Sequence, residues 1–70
     1  MITETYTTEE YGALPVEQAM LLSAHVRDGQ SYEELVARFK IPLGTVKSRI
    51  SRARARIKRQ REAARQAEVA

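Results

Sequence analysis

The sequence predicts an all-α fold: a small three- to four-helix domain with a helix-turn-helix and a long basic final helix. Three observations carry this. Apolar residues recur at helical spacing in each patterned stretch, a helix-start signal precedes each stretch, and no alternating strand pattern or internal repeat occurs. At 70 residues the chain has room for one small domain, which buries about 60% of its unfolded surface.

Residues 1–13 are polar, Thr-rich and acidic, and are expected to be a flexible acidic tail or a short helical turn capped by Thr8 ahead of Glu9 and Glu10. Residues 14–61 form the domain. Pro15 suits the opening of a first long helix, where its missing N–H costs nothing. That helix should run to about Asp28, with Gly29 as a left-handed stop. Ala19, Leu22 and Val26 line its inner face, with Val16, Met20 and Ser23 beside them.

Ser31-Tyr32-Glu33-Glu34 has the form of a capping box, Ser at the N-cap and Glu three residues on. The short helix it opens places Tyr32, Leu35, Val36 and Phe39 at i, i+3, i+4 and i+7. Ile41-Pro42 ends it, because proline disfavours helical geometry in the residue before it. Another helix opens near Pro42 or Leu43 and meets no breaker afterwards. Its last turns, residues 62–70, are Ala-rich and nearly unpatterned, and are expected to fray.

The net charge of +3 is a sum of opposites. Residues 1–35 hold seven acids against Arg27 alone, a net of −6, while residues 36–70 hold eleven bases against Glu62 and Glu68, a net of +9. No acid lies between Leu35 and Arg61. The second half therefore calls for a polyanionic partner.

At about 100° per residue, Leu43, Val46, Ile50, Ala53 and Ile57 of the last helix share one narrow stripe that faces the other helices. The opposite face centres on Ser48 and carries Gly44, Ser51, Arg52, Ala55 and Arg59. One flank holds Lys47, Arg54 and Lys58; the other holds Thr45, Arg49 and Arg56. A floor of small side chains edged by cations suits the DNA major groove, since the backbone approaches base edges while the cations meet phosphates on both strands. A solvated basic helix or one lying on an anionic membrane is the plainer alternative. A membrane helix would turn bulky apolar residues to the lipid, and here the apolar stripe already belongs to the core. A short helix, a tight turn at Lys40-Ile41-Pro42 and a basic recognition helix follow the helix-turn-helix grammar.

The segments Ala13-Leu14-Pro15-Val16-Glu17-Gln18, Ser31-Tyr32-Glu33-Glu34-Leu35 and Ile41-Pro42-Leu43-Gly44-Thr45-Val46-Lys47-Ser48-Arg49-Ile50-Ser51-Arg52-Ala53-Arg54 closely resemble region 4 of sigma-70 family factors, of the extracytoplasmic-function type. The resemblance spans roughly residues 8–60. It implies a bacterial transcription initiation module that reads a −35-type promoter element, docks on the β flap of RNA polymerase and is a target of anti-sigma factors. It places Lys47, Ser48, Ser51 and Arg52 at base edges. It places Gly44, Thr45, Arg49 and His25 at the DNA backbone, where the helical wheel adds Arg54, Arg56, Lys58 and Arg59. Two positions depart from the family pattern. Lys40 stands where the turn commonly has Gly, so it must adopt a left-handed conformation or use another turn. Val36 stands where a small Ala often lets the two helices approach. No segment matches a sigma region 2, so the chain is read either as free-standing or as a fragment of a longer factor, and alone it should not open a promoter.

The second function considered is a protein-interaction module, a sigma mimic that binds an anti-sigma factor, the polymerase flap or a second transcription factor. Leu21 and Ala24 lie off the Leu22/Val26 face, so Met20, Leu21 and Ala24 are the candidate partner-binding residues. An enzyme is not expected: one His, no Cys and no glycine-rich phosphate loop leave no catalytic constellation. No metal site and no cofactor is implied. The longest apolar run, Ala19-Met20-Leu21-Leu22, falls far short of the roughly 20 residues needed to span a bilayer, and a cytoplasmic location is expected.

Overall fold

A computed structural model describes residues 4–69 of the chain. Residues 1–3 of the expected acidic tail, and Ala70 at the expected frayed end, lie outside the described residues. Four helices follow in order: α1 (Thr8–Gly12), α2 (Val16–Val26), α3 (Tyr32–Phe39) and α4 (Leu43–Val69). No strand occurs among the described residues.

The chain's own start and stop signals explain the boundaries. α1 opens with a capping box one residue earlier than the sequence indicated. Thr7, not Thr8, accepts the Glu10 N–H at 3.1 Å, and the Glu10 carboxylate accepts the Thr7 N–H at 2.8 Å. α2 begins after Pro15, whose carbonyl accepts the Ala19 N–H at 2.9 Å. It ends at Val26 with Arg27 as its C-cap, and Gly29, at φ 70°, turns the Gln30 N–H back onto the Ala24 carbonyl at 3.2 Å. α3 has the second capping box, Ser31 with Glu34. Lys40 closes it in the left-handed region, φ 56° and ψ 47°, with its N–H on the Val36 carbonyl at 2.9 Å. A lysine thus takes the conformation that glycine holds without strain. Pro42 then supplies the carbonyl that accepts the Val46 N–H at 3.1 Å and opens α4.

The core gathers Leu21, Leu22, Ala24, Leu35, Val46, Ile50, Ala53 and Ile57, with Tyr11 and Leu14 the most exposed of its members. Four of the five residues on the α4 stripe are at most 1% exposed; Leu43, at the opening residue of the helix, is 40% exposed. α2 touches α1, α3 and α4 at once, and this overturns one expectation. Leu21 and Ala24, read as an outward face, are 2% and 3% exposed. A helix packed on several sides buries more than the single stripe a wheel assigns it. Of the three candidate partner-binding residues only Met20 is exposed, as is Val16 one turn before it.

α4 is 27 residues long, about 40 Å at 1.5 Å per residue, and sets the 45 Å long axis of the molecule. Beyond Ile57 none of its residues to Gln66 is buried. The basic helix therefore passes under the other helices and projects past them.

Candidate nucleic-acid interface

Because Val46, Ile50, Ala53 and Ile57 are pinned to the core, the rotation of α4 about its axis is fixed and its outer face is determined. Lys47, Ser48, Ser51, Arg52 and Ala55 are all exposed there. Gly44 shares that surface, and a Cβ built on it would meet no protein atom within 4 Å. The absent side chain leaves space on the outside, not within the fold. Arg56, Lys58 and Arg59 are exposed on or beside the same face, and Thr45 is half-buried at its edge.

Three of the candidate phosphate contacts are engaged elsewhere. Arg49 lies 3.5 Å from Glu17 of α2 in an exposed ion pair. His25 is half-buried, with its ring 4.9 Å from that of Tyr32 and its Nδ1 2.7 Å from the Gln30 carbonyl, a contact in which the ring N–H donates. That bond ties His25 to the turn after α2, so only its remaining nitrogen is left for a phosphate.

Arg54 shows a larger departure. Its guanidinium is held by the Glu4 carboxylate, with Nε donating to Oε2 at 3.0 Å and Nη2 to Oε1. The Tyr6 hydroxyl donates to the same carboxylate. One helical stretch further along, Arg61 donates through Nε and Nη2 to Glu10, the latter at 2.9 Å, and through Nη2 to the Thr5 carbonyl at 3.0 Å. The Arg61 guanidinium also lies over the Tyr6 ring, 5.2 Å from its centre, and Tyr6 meets Tyr11 edge-on at 5.8 Å. Residues 4–10 thus run along one flank of α4 and bind two of its cations.

The titration of these groups follows the contacts. Hydrogen bonds from Arg61, then from the Thr7 N–H, pull the Glu10 carboxyl down to about 2. The Arg54 guanidinium holds Glu4 below the ordinary carboxylate range, against the opposing effect of burial. Burial, reinforced by the Glu4 carboxylate, pushes the Tyr6 hydroxyl up to about 12. The two carboxylate shifts favour the ion-paired state, and the Tyr6 shift keeps its hydroxyl a donor to Glu4.

Sequence reasoning did not find Glu4, Tyr6, Glu10 or Arg61 as a group. The Thr-x-x-Glu spacing at residues 7–10 is a local signal and was readable. Pairings across 50 and 51 residues leave no periodic trace, and only the opposed charges of the two halves hinted at them. On the other flank, Gln18 of α2 lines a shallow hollow with Arg52, Ala55, Arg56 and Arg59. Its Oε1 is buried without a hydrogen bond among the described residues.

Among the described residues no three His, Cys, Asp or Glu side chains gather where a metal could bind, and no helix is long and apolar enough to cross a membrane. The family model "Sigma-70, region 4" matches residues 11–57, which run from the buried Tyr11 of α1 to the buried Ile57 of α4. No curated protein and no solved structure matches the chain significantly.

Proposed function

The chain belongs to the sigma-70 region 4 family, which gives it a sigma-factor-like, DNA-binding role in transcription, and from that premise we propose that α4 enters the major groove of a −35-type promoter element and acts there with RNA polymerase. Lys47, Ser48, Ser51 and Arg52 meet base edges. Gly44, Thr45, Arg49 and His25 face the sugar-phosphate backbone near the entry of the helix, and Arg56, Lys58 and Arg59 do so further along, with Arg54 joining them when Glu4 releases it. The observation that supports this best is the exposed floor of Gly44, Ser48, Ser51 and Ala55 with cations to either side, on the face opposite a stripe that is at most 1% exposed from Val46 to Ile57. Small side chains admit the groove edge, cations flank it, and the core fixes which way the floor points.

Selection of duplexes from a random pool, followed by binding of single-base variants, tests the reading. Arg52→Ala should cost about 1–3 kcal/mol on the selected sequence and relax preference at one position. An equal loss on every sequence would make Arg52 a phosphate contact.

A second surface favours a protein partner alongside DNA. Val16 and Met20, 72% and 49% exposed, stand one turn apart on α2. Met20 also lines, with Leu21, Phe39 and Ile41, an apolar hollow of about 110 Å³ that Glu17 and Arg49 complete. The β flap of polymerase, an anti-sigma factor or a second transcription factor would dock there, in a cytoplasmic setting. Affinity capture with and without nuclease separates the two roles: polymerase retained after nuclease treatment supports the initiation role, and a small helical protein alone supports a sigma mimic.

A further inference from the structure

We propose that residues Glu4 to Glu10 form a carboxylate strap that competes with DNA phosphates for one flank of α4, so that full engagement of a duplex requires the strap to leave. The proposal rests on the DNA-binding reading above and adds to it a control on how many cations reach the duplex.

Lys47, Arg54, Lys58, Arg61 and Arg65 are spaced by 7, 4, 3 and 4 residues, which keeps all five on one flank of a helix. Lys47 and Lys58 are exposed. Arg54 and Arg61, about 10 Å apart along the axis, are the two that the strap occupies, one through Glu4 and the other through Glu10 and the Thr5 carbonyl. A guanidinium forked onto a carboxylate offers the same donors that a phosphate would take, so each of these arginines serves the strap or the duplex but not both in that geometry.

Two features make exchange feasible. The strap is anchored by charge and by Tyr6, since Tyr11 is the first of the described residues in the buried core. A hollow of about 400 Å³ opens between Tyr6 and α4, lined by Arg54, Lys58, Arg61 and Arg65 with Glu62 as the one acid. An incoming phosphate therefore meets cations beside the carboxylates before it displaces them. Glu4, Glu10 and Arg61 all lie outside the segment matched by the family model, so the strap is additional to the matched region.

The test is a salt titration of the full chain and of its Glu4→Gln/Glu10→Gln variant on a duplex of arbitrary sequence, because phosphates alone are at issue. Gln at position 10 still serves in a capping box, so α1 is retained. With the strap displaced from both bound proteins the same cations meet phosphates, so the salt slopes should match, while the variant, which has no ion pairs at Arg54 and Arg61 to break, should bind about 2- to 30-fold more tightly. An unchanged affinity overturns the strap, and so does an equal gain in a Glu9→Gln/Glu33→Gln variant, which removes the same charge and leaves both ion pairs to α4 in place. In parallel, nuclear Overhauser contacts between the Tyr6 ring and Arg61 should vanish when wild-type chain is saturated with duplex, and their persistence also overturns the strap. If neither protein binds any duplex, the DNA reading itself fails, a result distinct from binding with unchanged affinity.

Discussion

Up to Ile57, α4 lies against the other helices through Val46, Ile50, Ala53 and Ile57, each at most 1% exposed. From Lys58 to Gln66 every residue is exposed, and the long-range contacts of that stretch are those of Arg61 with Glu10, Thr5 and Tyr6. The first part is held by removal of apolar surface from water, worth about 1.5–3 kcal/mol per large side chain. The second relies on the helix propensity of Ala, Arg, Gln and Glu and on a charge clamp that salt and pH can loosen. Two stretches of one unbroken helix therefore answer to different conditions.

The strongest way to break this comparison is Ile50→Ala. Loss of a fully buried side chain should cost about 2–5 kcal/mol, a large share of the stability of so small a domain. Thermal melting by circular dichroism should show both stretches lost together at a much lower midpoint. An unaffected midpoint would mean that the core does not carry the helix.

Lys40→Gly should act in the opposite sense and more weakly. Lys40 holds φ 56°, and relieving left-handed strain should add about 1 kcal/mol, raising the melting midpoint by roughly 4–8 °C. A fall in midpoint would show that the lysine side chain contributes more than the strain costs.

Acid sharpens the contrast most locally. Glu10 has a folded-state value near 2 against an ordinary 4.5, and Glu4 is shifted in the same direction. For a depressed carboxylate the contribution is fully present above the ordinary value and is lost as pH falls toward the folded one. Between about pH 4.5 and 2 the Cα chemical shifts of α4 beyond Ile57 should move toward coil values while those from Val46 to Ile57 stay helical. Simultaneous loss of both would show that the overhang is not separately held.

Much of the fold was legible because its determinants are local. Ser31 with Glu34, Gly29 and Ile41-Pro42 mark boundaries through bonds that span a few residues, and the α4 stripe reads directly from its spacing. Lys40 was read as either left-handed or part of another kind of turn, and it is left-handed. What escaped was set by distant partners. Leu21 looked exposed because a wheel allows one buried side, whereas α2 is covered by α1, α3 and α4. Arg54 looked free because nothing in its neighbourhood on the chain identifies Glu4, 50 positions away, as its partner. The outer floor of α4 was readable for the converse reason: its direction follows from the stripe opposite.

The chain has three tyrosines and no tryptophan, so its near-ultraviolet emission comes from tyrosine alone. Tyr6 lies in the strap with its hydroxyl on the Glu4 carboxylate, and Tyr11 meets its ring edge-on. A phenol hydrogen-bonded to a carboxylate is quenched, and release restores its emission. The molecule therefore carries an optical gauge of its own amino-terminal contact, one that reports detachment without any label attached.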